Sequence, residues 1–251
     1  MLHDDLRARG HEAWVEARWT RPQADAALLL GAGLAVIASL VSVAAPLAAA
    51  IGAGVAAISL VVEAAGRSGP IRLLLPQRAT QHVLTVPSGD GVVLVVAAGY
   101  DAPRGGWLRR LPRAREAAAA CAVLVAALAA ARAAGVSGTW LGAVQLVPTL
   151  GLLAAVAGAI DGVAAGWTRG AGQARAVELA VAVFDELARV APDRLAPALL
   201  LHGAAAPGPQ ARRAHLRAEK WRPRDAVLLE LAPGARGWAT RHSQLRAAAE
   251  R

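Results

Sequence analysis

His202 and His215 lie on either side of an Ala-rich stretch, and with Asp101 and Glu230 they offer the nitrogen and oxygen donors a hydrolytic zinc ion takes. Two imidazoles without a fixed third ligand are also what ordinary strand-end or surface histidines look like. Asp161 stands in a long uncharged run, where a carboxylate marks an ion or proton path by default. Its position near the end of that run favours pairing with Arg113, Arg115 or Arg169. Gln145 and Pro148 in the same run are what a small transporter or channel component would rest on, but four Ala-rich helices offer little polar lining. Cys121 is the sole cysteine, which excludes an intramolecular disulfide and any multi-cysteine metal site; in its apolar surroundings it reads as a small buried hydrophobe. The glycine pairs Gly52-Ala53-Gly54 and Gly170-Ala171-Gly172 lack the strand-turn-helix context of a nucleotide fingerprint. The basic, partly apolar segment Trp107 to Arg115 suits the anionic inner leaflet, where each arginine contributes on the order of 1 kcal/mol. A solvated positive loop explains the same residues.

The elements that must carry these residues are dictated by composition. Hydrophobic residues make up 56% of 251, yet there is one Phe, one Tyr and one Met, so Ala, Val, Leu and Gly supply the apolar mass. Lys220 is the only lysine, which with the Ala and Gly excess reads as the codon bias of a GC-rich bacterial genome. Residues 26–45 contain no charge and at 1.5 Å per residue cover the hydrocarbon layer of about 30 Å. After Pro46 a second run, 47–62, extends to Ala65 if Glu63 snorkels to the interface. A third span is expected at 117–136, with Arg132 near its far end, and a fourth at 141–165, with Pro148 inside it. Gly158, Gly162 and Gly166 recur every four residues, a strip where another helix backbone can approach.

Charge orients the spans. Residues 1–25 hold four arginines, 66–116 hold eight and 168–251 hold thirteen, while the two short turns hold only Arg132. Basic loops stay in the cytoplasm, so both termini and the middle segment are predicted inside the cell inner membrane. The formal charge of +9 then needs no nucleic-acid partner. Trp19, Trp107, Trp140 and Trp167 fall near predicted boundaries, as headgroup-level aromatic rings do.

In the polar parts, 81–86 and 92–98 read as strands around a Ser88-Gly89-Asp90-Gly91 turn. A helix at 174–190, a strand at 196–201, a helix at 210–219 and a strand at 226–231 follow. The alternation predicts an α/β layer with a partly parallel sheet.

The stretches TQHVLTVPSGDGVVLVVAAGYDAPRGG, ARAVELAVAVFDELARV, ALLLHGAAAPGPQARRAHL and AVLLELAPGARG follow one another in an order that resembles the di-zinc aminopeptidase family. They cover roughly residues 78–101 and 172–238. The resemblance implies an α/β sandwich around a mixed sheet, with two zinc ions held by imidazole and carboxylate ligands and a carboxylate base acting on a bridging water. At the positions implied for those ligands this chain carries others. Gly99 replaces the histidine of the His-x-Asp motif, Gln173 or a neighbour stands where the bridging aspartate belongs, Ala205 and Ala206 where the paired glutamates belong, and Ala232 at the later aspartate. Asp101 alone matches, in a role that orients a histidine no longer present. The chain also stops before the region that would bear the final histidine. Glycine and alanine donate no electron pair, so no metal, cofactor or catalytic residue is expected from the resemblance.

The expectation is α/β plus membrane helices: four transmembrane helices in two hairpins with a split, incomplete zinc-exopeptidase-like α/β domain. Its divisions are 1–25 as a cytoplasmic N-terminal segment, 26–65 and 117–167 as hairpins, and 66–116 and 168–251 as the two parts of the α/β domain. The function expected is a non-catalytic scaffold or partner-binding module embedded in the lipid bilayer, with a protein partner or a second copy to cover an open sheet edge. The alternatives are a metallohydrolase using His202, His215, Asp101 and Glu230 as substitute ligands, and a transporter component.

Overall fold

Four apolar runs fold as long helices: α2 (Ala24–Val41), α3 (Pro46–Ala64), α5 (Ala114–Ala133) and α6 (Thr139–Ala164). The computed structural model describes residues 2–87, 91–100, 105–111, 113–166, 171–190, 194–203 and 226–231. Mean hydropathy of 1.7 to 2.1 over an 18-residue window makes each of the four long and apolar enough to cross a membrane. Pro46 opens α3 at the first helical position, where its missing N–H costs nothing. Pro148 sits inside α6 without interrupting it.

The helices bury small residues against one another. Ala32, Ala35, Ala53, Ala56, Ala122 and Ala155 form the centre of the bundle with Leu28, Leu60, Val125 and Leu152, so backbones approach closely. The bulky residues point outward: Ile37, Leu40, Ile51, Ile58, Leu146 and Val147 are all exposed. An apolar belt on four helices is far more than a water-soluble monomer displays, and it suits lipid. Together the mixed sheet described next and these helices make an α/β protein with a bundle of four helices able to span a membrane.

The sheet has five strands, β1 (Ala13–Thr20), β2 (Arg78–Thr85), β3 (Val92–Gly99), β4 (Leu195–His202) and β5 (Ala226–Leu231), in the order β1-β2-β4-β3-β5. β1 and β4 flank β2 antiparallel, and β3 runs parallel to β4 and β5. β3 and β4 read as nearly continuous apolar runs because both faces are covered. Pro197 is tolerated in β4 because the β2 ladder reaches only Leu200 to His202; beyond it Thr85 Oγ1 accepts the Leu199 N–H at 2.8 Å.

One face of the sheet is covered by α7 (Ala171–Val190), whose Val177, Ala180, Val181 and Phe184 meet Val83, Val96, Ala98, Leu199 and Leu201. The other face holds a smaller cluster of Leu84, Val95, Ala97 and Leu200. The short helix α1 (Leu2–Ala8) buries Leu6 in the α7 side. Asp185 fastens this end, accepting from Arg9 at 2.9 Å and lying 2.6 Å from His11 Nε2.

The sequence expectations of strands at 81–86, 92–98, 196–201 and 226–231 and of the helix before β4 agree with these elements; the helix expected at 210–219 lies outside the described residues. Residues 1–25 are more than a segment. They supply an edge strand, so the sheet draws on three regions of the chain separated by both hairpins.

Candidate functional site

The parallel strands β3, β4 and β5 end together, and in open α/β sheets this carboxyl edge is where ligands bind. Strand register sets Glu16, His82, His202 and Gly99 in one row across the sheet. Both histidines are buried. A Cβ placed on Gly99 would come 3.2 Å from His202 Cε1, so the imidazole lies over the glycine and fills the space a side chain there would need. Tyr100 closes the edge: its N–H donates to His202 O at 3.2 Å and its hydroxyl donates to Gln81 O, which also accepts the Gly203 N–H at 3.1 Å.

Gln173 lies in the first turn of α7, which returns antiparallel to β4 and so begins near this edge. Glu230 is exposed on β5, opposite Ala97, with β3 between it and His202. The structure therefore brings Gly99 and His202 together and leaves Glu230 apart. Asp101, Ala205, Ala206, His215 and Ala232 lie outside the described residues. Among the described residues no three His, Cys, Asp or Glu side chains are grouped so as to hold a metal ion.

A second polar centre sits where the bundle meets the sheet, and the sequence reading missed most of it. Arg72, on the one-turn helix α4 (Pro70–Leu73), is 0% exposed and donates to Glu63 Oε2 at 2.8 Å. Glu63 does not snorkel: its side chain is 8% exposed, and its second oxygen accepts the Gly69 N–H at 3.0 Å. Burial pushes the Arg72 guanidinium below its ordinary range, and Glu63 pulls it back up. Arg72 Nε also donates to Arg21 O at 2.8 Å, Arg21 Nε to Leu75 O at 3.0 Å and Gln23 Nε2 to Pro76 O at 3.2 Å. These bonds latch the β1–α2 joint to the α4–β2 joint. A legible signal was present: an acid and an arginine nine residues apart around Gly69-Pro70, a turn that returns one towards the other.

Of the partners expected for Asp161, Arg115 is engaged elsewhere and Arg169 lies outside the described residues. Asp161 Oδ2 accepts the Trp107 N–H at 2.8 Å, while Arg115 pairs with Asp25 at 3.2 Å. The 3₁₀ turn Trp107–Arg110 folds back along α6, which explains the glycine strip. A Cβ on Gly158 would meet Leu108 at 2.9 Å, and one on Gly162 would meet Asp25 at 3.2 Å. At Gly158 and Gly162 the strip thus receives a loop and a side chain of α2 in place of a helix backbone, while nothing lies within 4 Å of a Cβ on Gly166, whose φ is 60°. Cys121 packs partly buried against the bundle core, beside Gly151.

At the far end of the bundle a third polar group joins α2 to α6. The two N–H groups of Gln145 Nε2 are shared among Ser39 O at 2.9 Å, Ser39 Oγ at 2.7 Å and Ser42 Oγ at 3.0 Å, Arg132 Nε donates to Gln145 Oε1 at 3.3 Å, and Thr149 Oγ1 lies 2.7 Å from Ser39 Oγ. Leu28, Ala32, Ala35, Leu152 and Ala155 separate it from the sheet-side centre. The two polar layers are thus divided by close-packed apolar side chains, so Gln145 serves as an interhelical tie.

Comparison of the chain with protein-family models, curated proteins and solved structures finds no match.

Proposed function

We propose that this is a non-catalytic integral membrane protein whose α/β layer is a degenerate relative of the zinc aminopeptidases and serves as a scaffold or partner-binding module beneath the bilayer. The observation that carries the reading is the carboxyl edge of the sheet, where Gly99 offers no donor and the buried His202 ring occupies the space above it. A zinc site needs at least three protein ligands held towards one point, and nothing at Gly99 contributes one.

Metal analysis of the purified full chain tests this. Less than about 0.1 zinc ion per chain is expected, against the full occupancy that a site of three or four ligands would show. About two tightly held zinc ions would overturn the reading. Gly99→His should not restore binding, because the new ring would have to displace His202; stoichiometric zinc uptake by that variant would show that the site is intact.

The sheet side of the bundle is assigned to the cytoplasm, because its strands come from the arginine-rich segments 1–25, 66–116 and 168–251. With Cys121→Ser as background, a cysteine at Ser137, in the α5–α6 turn, is expected to react with a membrane-impermeant maleimide added outside spheroplasts. One at Ser68, in the α3–α4 turn, is expected to react only after lysis. The reverse pattern would invert the topology.

A further inference from the structure

We propose that the cleft at the sheet-side end of the bundle holds the headgroup of a phospholipid that carries both a phosphate and a primary ammonium group. The inference rests on the four helices crossing a membrane and is independent of the peptidase resemblance.

The cleft has a volume of about 450 Å³ and opens between α2, α3, α5, α6 and the loop before α5, within the range of small-molecule sites. Its walls carry both signs of charge. Asp25, Glu63 and Glu116 are the carboxylates, Arg113 and Arg115 the guanidinium groups, and the buried Arg72 stands behind Glu63. A purely anionic headgroup would meet three carboxylates and a purely cationic one would meet the arginines, whereas a zwitterion matches both.

The groups already committed show how such a headgroup would lie. Arg115 is tied to Asp25 and Glu63 to Arg72. Arg113, at the N-cap of α5, and Glu116, in its first turn, are both exposed and line the cleft, where they face an incoming molecule. The first-turn amides of a 20-residue helix point the same way and favour phosphate beside Arg113. Carboxylate oxygens accept N–H bonds from a primary ammonium, and a trimethylated one has none to give.

The position in the bundle points to a lipid over a dissolved zwitterion. The cleft floor is Ala64, Leu108, Gly158 and Gly162, and the exposed Leu111 and Trp107 stand beside it. This is the level at which the spans leave the hydrocarbon layer, so a lipid reaches the polar walls with its headgroup while its tails stay between helices.

The test is lipid retention by the full chain, reconstituted in equal mixtures of phosphatidylethanolamine, phosphatidylcholine and phosphatidylglycerol and read by native mass spectrometry. Phosphatidylethanolamine is expected to be retained about tenfold over each of the others, the scale of one charge-assisted hydrogen bond. Arg113→Asn and Glu116→Gln should each abolish the preference. Asparagine is chosen because it accepts the left-handed backbone of Arg113, whose φ is 62°, and Glu116→Gln decides alone if the first variant does not insert. Equal retention of the three lipids, a preference for the anionic one, or an unchanged preference in Glu116→Gln would overturn the proposal. Loss of bound lipid on adding free phosphoethanolamine would overturn the lipid as the source.

Discussion

Arg72→Ala is expected to lower the apparent melting temperature of the detergent-solubilised protein by roughly 10 °C, the scale of the 3–5 kcal/mol lost when one partner of a buried ion pair is removed. The cost arises because Glu63 stays behind, 8% exposed and charged, with only the Gly69 N–H as a remaining partner among the bonds described. Arg21 O also loses its donor. Trypsin should then cut after Arg78 faster, since the α4–β2 joint just before it is held to Arg21 and Gln23 by Arg72 and by the bonds to Leu75 and Pro76. Arg72→Met combined with Glu63→Leu should recover much of the lost stability, because no unpaired charge remains buried. An Arg72→Ala protein with unchanged melting and cleavage would show that the pair does not fasten the joint.

The second large effect is expected at Gly69. A Cβ there would lie 2.5 Å from Ser59 O and 2.6 Å from Ser59 Oγ, and the first of these is backbone within α3 that cannot step aside. Gly69→Ala should therefore cost about 1–3 kcal/mol or more, as overpacked sites do, by lifting α4 from α3. The Ile71 N–H, which donates to Ser59 Oγ at 3.2 Å, would lengthen or break its bond. Because lifting α4 also pulls Arg72 from Glu63, Gly69→Ala and Arg72→Ala should be strongly non-additive. The double variant should melt close to the worse single one. Additive losses would mean that the glycine and the ion pair support separate parts of the structure.

The sequence made the bundle legible because each span is a long run in which nearly every residue obeys one requirement, an apolar side chain. The helices begin and end within a few residues of the expected limits, with α5 starting three residues earlier than 117. β3 and β4 were legible for the same reason, being buried on both faces. β1 was not. Trp14, Glu16, Arg18 and Thr20 alternate with Ala13, Val15, Ala17 and Trp19 on an edge strand, and most of these side chains are not buried. A half-exposed edge strand resembles a polar linker in composition, and only its pairing with β2 over eight residues gives it away.

The polar centres were hidden for a different reason. Glu63, Asp25 and Asp161 could each be seen at a helix end, but which partner each would find depends on how loops fold back, and no periodicity encodes that. A snorkelling Glu63 and a buried one paired with Arg72 look alike in a linear chain. Gln145 was visible as an isolated amide in an apolar helix; its partners Ser39 and Ser42 lie more than a hundred residues earlier. At the carboxyl edge of the sheet, the placing of His202 over Gly99 required the register of β3 against β4.

The strand order also governs the protein's synthesis. As the ribosome delivers the chain, β1 and β2 are available to join once the first hairpin has left the translocon, but β3 pairs with neither. Its two neighbours are translated only after α5 and α6 have emerged. Until then Val92–Gly99 is an unpaired apolar segment of the kind chaperones and proteases recognise. β4, which lies between β2 and β3, follows the second hairpin in the chain, so the sheet can be completed only after all four long helices have been made.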